Sequence, residues 1–375
     1  MRFALAGMLA MASALGVGRF VFTPILPAMV AALGLSKSQA GVIASANFAG
    51  YLLGALGLAV WRPVAMRGWC IGGLVVGAAS MAAMAQVDMI VGFALLRFVG
   101  GVASAVVLVL ASALVMAQIG ERGPALAAVH FGGVGIGIAL SAVLVAVLET
   151  EGVDWRDLWR AAAMLAVLVV PGVALLLGRG EAAGAAPTAA GKVAAPGLLR
   201  LVVAYGLFGI GYVVTATFLV AAVRDAAVPP AFAMLVWPLV GLAAMPSTAA
   251  WAWIAGRVGA RRAYALAAIA EAIGVAAGGL WPGFAGAAMA AILLGGTFVA
   301  LTALGFAMAR EVSGAAGQAR LFALMTAAFG VGQMLGPLGA GVLFDWSGGF
   351  VLPSLLAAAA LLLAAALVWR PAMRA

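Results

Sequence analysis

The sequence predicts an all-α membrane protein with twelve transmembrane helices in two pseudo-symmetric six-helix bundles. Three observations carry that expectation. Of 375 residues, 67% are hydrophobic and 8% charged, and the mean hydropathy is +1.23. A soluble domain carries about 25% charge, so a soluble enzyme, a disordered chain and a disulfide-stapled secreted domain are all excluded. Apolar runs long enough to span then recur twelve times, and Lys and Arg alternate between the two sides of those runs.

The runs lie at 3–33, 37–60, 68–87, 89–118, 123–148, 158–178, 198–223, 230–256, 262–280, 283–309, 318–343 and 350–369. The first begins like a signal peptide, with Arg2, an apolar stretch and Ala12-Ser13-Ala14. Its apolar character continues through Val17, Phe20 and Phe22 to Leu35, so it reads as a spanning helix. The second and third are separated by a basic loop at 61–68. The fourth carries Arg97, and the fifth carries His130 and a Gly repeat. Glu149 to Asp157, the most acidic stretch, separates the fifth from the sixth. Residues 179–197, rich in Ala, Gly and Pro, read as a cytoplasmic linker between bundles at 1–178 and 198–375. The eighth tolerates Pro238 and Pro246, because neighbouring helices can satisfy freed carbonyls. The ninth carries Glu271, the only acid deep within a span, and the eleventh carries Gln333 and Pro337.

With the N-terminus inside, fourteen of the twenty basic residues fall on the inner side. Lys37, Arg156, Arg160 and Arg224 fall outside, and Arg19 and Arg97 lie within helices. Both termini are therefore expected in the cytoplasm, at a bacterial inner (plasma) membrane. The net charge of +9 does not indicate nucleic acid, since the cations are scattered between apolar runs. Phe131-Gly-Gly-Val-Gly-Ile-Gly137 is similar to Phe329-Gly-Val-Gly-Gln-Met-Leu-Gly336 at an offset of 198, an internal repeat. Paired six-helix halves place a substrate site between them near the midplane.

Four local patterns resemble the major facilitator superfamily. Ala255-Gly-Arg-Val-Gly-Ala-Arg-Arg262 resembles its loop signature, with Gly256 in place of the usual acid and Arg257 retained. Leu96-Arg-Phe-Val-Gly-Gly101 is similar to its Arg-x-x-x-Gly element, and Trp155-Arg156 to its Trp-Arg pair. Gly332-Gln-Met-Leu-Gly-Pro-Leu-Gly-Ala-Gly341 resembles its Gly/Pro-rich eleventh helix. The loop Trp61-Arg-Pro-Val-Ala-Met-Arg-Gly68 is a degenerate first signature with no acid. Gly16-Val-Gly-Arg-Phe-Val-Phe-Thr-Pro-Ile-Leu-Pro27 narrows the resemblance to the YbfB/YjiJ branch, as do the runs from Gly41 to Gly54 and from His130 to Gly137. The resemblance implies a secondary transporter, a monomer working by alternating access, and names no substrate.

Each polar residue within a span has a functional and a structural reading. Arg19 is expected either to bind an anionic substrate as a charged fork or to bond carbonyls freed by Pro24 and Pro27. Arg97 is a candidate for proton coupling through the resembled element, or a helix-packing donor. His130 is expected to bind substrate or a proton, or to be a satisfied core residue. Glu271 is a proton-coupling candidate or a partner for a neighbouring helix. Asn47, Tyr51, Tyr212, Trp237 and Gln333 complete the candidate substrate site as fixed polar or aromatic groups. Gly133, Gly135, Gly137, Gly336 and Gly339 read as close-packing faces, and Pro24 and Pro337 as hinges.

No catalytic set, phosphate-cradling loop or metal motif is present, and Cys70 and His130 are the only cysteine and histidine. No enzyme activity, cofactor or metal is therefore expected. The expected partners are a small-molecule substrate, protons and the lipid bilayer. The function expected is proton-coupled movement of a small organic anion. Efflux of hydrophobic compounds, or a non-transporting scaffold or receptor, stands as the alternative.

Overall fold

Twelve helices of the computed structural model are long and apolar enough to cross a membrane. They are α1 (Arg2–Leu33), α2 (Lys37–Val60), α3 (Met66–Met84), α4 (Ile90–Gln118), α5 (Ala125–Thr150) and α6 (Trp155–Leu177). The last six are α7 (Leu198–Asp225), α8 (Ala231–Val258), α9 (Ala260–Leu280), α10 (Phe284–Glu311), α11 (Arg320–Ser347) and α12 (Val351–Trp369). The structure describes residues 1–61, 63–119, 123–178, 197–226, 229–312 and 315–369, and among these there is no strand. The expected linker at 179–197 lies outside the described residues except for Gly197.

Local chemistry sets several helix ends. Gly34, at φ +63°, ends α1 in the left-handed conformation. Ser36 then opens α2 with a capping box: its Oγ accepts from Gln39 N at 3.1 Å, and Ser36 N donates to Gln39 Oε1 at 2.9 Å. Asp154 caps α6 by accepting from the Arg156 and Asp157 amides at 2.6 and 3.1 Å. α11 runs to Ser347, four residues past the expected 343. The added turn carries Asp345, whose carboxylate accepts from the first amides of α2.

α1 is not one uninterrupted helix. It is α-helical over Arg2–Met11, π-helical over Ala12–Val17, and α-helical again over Phe22–Leu33. The sequence pattern alone predicts a continuous run, because every residue in the break except Arg19 is small or apolar.

Small residues set how closely the helices approach. A Cβ at Gly133 would collide with the Met8 carbonyl, and one at Gly137 with the Ala12 carbonyl, so α5 lies directly against α1. Between the first six helices and the last six, Gly41 backs onto the Pro337 carbonyl, and Gly341 onto the Lys37 carbonyl. Gly135 faces Gly241 and Met245 across the α5–α8 seam. Gly336 packs on Val213 of α7. Gly339 departs from the close-packing expectation, because nothing lies within 4 Å of a Cβ there, and the same holds at Gly256 of the loop signature. Both project away from their neighbours, a matter of helical phase that a Gly-rich motif does not reveal.

Substitutions at these glycines should therefore separate cleanly. Gly137→Val is expected to abolish a monodisperse detergent-purified protein, because the backbone of α1 blocks the new side chain. Gly256→Ala, in open space within a helix, is expected to be neutral or to stabilise by up to about 1 kcal/mol. Size-exclusion profiles and melting temperatures check both.

Candidate functional site

The break in α1 frees backbone carbonyls at membrane depth, and Arg97 takes them up. Phe20 N bonds Leu15 O at 3.3 Å in the wide π register, and Thr23 N turns back to Phe20 O at 3.2 Å. Pro24 offers no amide to the carbonyl four residues before it, which helps keep the turn from closing into an α-helix. Arg97, 4% exposed on α4, donates Nη1 to Gly18 O at 3.0 Å and Nη2 to Arg19 O at 2.9 Å. The carbonyl-bonding role weighed for Arg19 is thus performed by Arg97. Asn47 of α2 braces the same helix by donating Nδ2 to the Arg97 carbonyl at 2.8 Å.

With the backbone already satisfied, the Arg19 side chain is turned toward the seam between the first six and last six helices. It is 5% exposed, and its Nε and Nη2 have no hydrogen-bond partner. Its guanidinium carbon lies 4.4 Å from the Tyr51 ring centre, 4.6 Å from that of Phe48 and 5.7 Å from that of Phe20. Cation–π contacts of this kind stabilise a desolvated guanidinium without using its N–H donors. No carboxylate lies within ion-pair distance of it among the described residues.

Across the seam stands a column of rings from the last six helices. Tyr212 of α7 is nearly parallel to Phe298 of α10 (8°, centroids 5.9 Å apart) and to Phe329 of α11 (4°, 5.7 Å). Phe20 sets its edge against Phe298 at 5.6 Å, joining the column to α1. Gln333, one turn beyond Phe329, donates Nε2 to the Tyr212 hydroxyl and leaves its Oε1 without a partner. The structure therefore sets Arg19 and Tyr51 on one side of the seam and Tyr212 and Gln333 on the other.

The remaining candidates lie elsewhere. Asn47 is fully buried between α2 and α4. His130 is fully buried among α1, α4 and α5, with Nε2 3.0 Å from Ser112 Oγ and its ring against Gly7. Trp237 is buried on α8 with its indole N–H unpartnered. Glu271 is fully buried on α9, and neither carboxylate oxygen has a hydrogen-bond partner. Arg257 is exposed and stacks on Trp253, its guanidinium carbon 3.3 Å from the ring centre. Phe20, Phe48, Phe298 and Phe329 were absent from the expected site. An isolated Phe in an apolar helix gives no signal, although Phe20 adjoins Arg19 in sequence.

One end of the bundle is closed by polar contacts between the first and last six helices. Asp345 of α11 accepts from the Lys37 and Ser38 amides at 3.2 and 3.0 Å, and from Ser38 Oγ. Lys37 Nζ reaches Asp225 of α7 at 3.0 Å, and Arg224 reaches Glu149 of α5 at 2.5 Å. Deeper in, Thr23 Oγ1 donates to Ala216 O at 2.6 Å and Ser45 Oγ to Met334 O at 2.7 Å. All four basic residues that break the inside charge bias are ion-paired here: Lys37, Arg224, Arg156 with Asp88, and Arg160 with Asp157. Among the described residues, no hydrogen bond or ion pair joins the two sets of helices at the opposite end.

Twelve helices long and apolar enough to span a membrane meet at a polar and aromatic seam, and solved structures share this fold. The nucleoside transporter NupG in a D323A mutant superposes with a TM-score of 0.75 at 14% identity, covering 98% of each chain. A bacterial homolog of the human lysosomal transporter Spinster, inward-facing and occupied, gives 0.73 at 15%, covering 98% of this chain and 95% of that one. NupG itself gives 0.73 at 16%, with 98% of each chain covered. The family model described as uncharacterised MFS-type transporter YbfB matches residues 11–369, and the chain belongs to that family. A comparison with curated protein sequences finds no match.

The two arginines should respond oppositely to substitution. Arg97→Leu orphans two buried carbonyls at about 1–3 kcal/mol each and should lower the melting temperature by several degrees. Arg19→Gln removes a buried charge that has no anionic partner, so the melting temperature should hold or rise. Thermal denaturation of the purified variants, side by side, checks this.

Proposed function

We propose that this transporter moves a small organic anion by alternating access, with Arg19 as the anion contact. The observation that carries the reading is a buried guanidinium with unpaired donors at the seam between the two sets of six helices. A charge at membrane depth is costly, so one without a protein counter-ion is placed for a ligand that supplies it. The bundles are 1–178 and 198–375, joined by the cytoplasmic linker at 179–197, and they rock about this seam. The protein acts as a monomer and as a transporter rather than an enzyme.

The charge bias supports cytoplasmic termini in a bacterial inner membrane. That orientation puts the polar closure of Lys37, Asp345, Asp225, Arg224 and Glu149 on the outer face. The conformation is then inward-facing, the state named for the Spinster homolog. A nucleoside, the substrate class named for NupG, carries no charge to match Arg19. The ring column favours a partly apolar cargo, which is also what efflux of hydrophobic compounds would need; Arg19 decides for an anion. We assign proton coupling to Glu271, a carboxyl fully buried within a span.

Reconstituted into proteoliposomes, the wild type should show saturable uptake of the cognate anion and Arg19→Gln should show essentially none. Flux of lipophilic cations that ignores Arg19→Gln would replace this reading with efflux, and no flux of any solute would leave a scaffold or receptor. Glu271→Gln should retain counterflow but lose accumulation driven by a pH gradient. For the closure, Ser45→Cys in a Cys70→Ala background reports on the seam. Adding Lys37→Ala and Asp345→Asn should raise its labelling by an outside, membrane-impermeant maleimide by about three- to tenfold.

A further inference from the structure

Resting on the organic-anion reading, we infer that the Arg19 site is built for an aromatic monocarboxylate: a planar ring bearing one carboxylate and no ammonium. Four features of the site select each part of that description.

The carboxylate follows from which donors are left unpaired. Nε and Nη2 lie on one edge of the guanidinium, and their two N–H bonds run parallel. Both are buried, and both lack a partner. A carboxylate presents two oxygens at the matching spacing, so it takes this edge bidentately. The rings of Phe48 and Tyr51, 4.6 and 4.4 Å from the guanidinium carbon, fix the fork's plane.

A single negative charge follows from the absence of a second available cation. Arg97 is the other arginine at this depth, and its two terminal nitrogens are bonded to Gly18 O and Arg19 O. A second carboxylate on the ligand would be buried without a counter-ion.

The absence of an ammonium follows from the acids. No carboxylate is ion-paired to Arg19 or donated to by the site residues among the described residues. Glu271, the acid within a span, is buried on α9 and makes no ion pair with Arg19. A zwitterionic amino acid would bury its ammonium beside Arg19 with only neutral hydroxyls and amides to receive it.

The ring follows from the column opposite. Phe298 and Phe329 each lie within 8° of parallel to Tyr212, and Phe20 bridges from the Arg19 side to Phe298. The column is buried in this conformation, and an aromatic ring entering as the seam opens would stack against it.

The test uses detergent-purified full-length protein and isothermal titration with benzoate, cyclohexanecarboxylate, phenylalanine and benzyl alcohol. Benzoate should bind about fivefold or more tightly than cyclohexanecarboxylate, since aromatic stacking adds that much beyond area burial. Phenylalanine and benzyl alcohol should not bind measurably. Phe298→Leu should erase the preference, bringing benzoate to within about twofold of cyclohexanecarboxylate. If F298L does not purify as a single species, Phe329→Leu asks the same of the other side of the column. Arg19→Lys, which keeps the charge but loses the fork, should weaken both carboxylates about tenfold.

Equal affinity for benzoate and cyclohexanecarboxylate, or a preference that survives the Phe→Leu change, overturns the aromatic assignment. The organic-anion reading then stands so long as binding is lost in Arg19→Gln. Phenylalanine binding as well as benzoate overturns the exclusion of an ammonium. Carboxylate binding indifferent to Arg19→Gln, or no carboxylate binding at all, overturns both readings.

Discussion

A guanidinium at the depth of a membrane helix must find oxygen atoms, and the arrangement of this protein's centre depends on how Arg97 finds them. The oxygens it uses are the Gly18 and Arg19 carbonyls, 3.0 and 2.9 Å away. Those carbonyls are available because the α-helical pattern breaks between the π segment and Phe22, where Thr23 N turns to Phe20 O instead of Arg19 O. The break and the arginine stabilise each other: without Arg97 the carbonyls are orphaned in hydrocarbon, and without the break the arginine is. The same break sets the direction of the next side chain, so Arg19 reaches the seam with its hydrogen-bonding edge unspent.

The seam is held by two kinds of contact. Glycines at 41, 135 and 341 let backbones of the first and last six helices touch, which supplies packing where lipid supplies no hydrophobic driving force. At one end, carboxylates and cations add a polar closure, including an Asp345 side chain that caps the first amides of α2. A surface ion pair alone contributes little. Here several pairs act together across the seam, next to Lys37 stacked at 5.3 and 5.7 Å from Phe344 and Phe350.

Much of the architecture was legible in the sequence. Hydropathy located all twelve spans to within a few residues of the helices observed. The signatures at 16–27, 96–101, 255–262 and 332–341 indicated the family that the match over 11–369 shows. The candidate site was legible only in part. Arg19 stood out because a charge within a span is rare. Asn47 and His130 looked equivalent to it by the same criterion, yet they face α4 and the α1–α4–α5 packing. A sequence gives the depth of a residue along a helix but not its azimuth among five neighbours. The phenylalanines of the ring column were invisible for a related reason: in a chain with 17 Phe, one more apolar residue in an apolar helix carries no pattern.

By itself the sequence indicated twelve apolar spans and the superfamily of packing solutions that this chain follows. Those properties are sums over many residues, so hydropathy and recurring motifs register them without any knowledge of contacts. Tertiary structure alone decided the division of labour between two arginines of the same type at similar depth. Arg97 is committed to backbone oxygens, and Arg19 keeps a free fork. That outcome rests on a break in α1 whose freed carbonyls are met by one specific side chain from α4, 78 and 79 residues away in sequence. No local pattern records a contact between such distant positions; only the packing of the helices does.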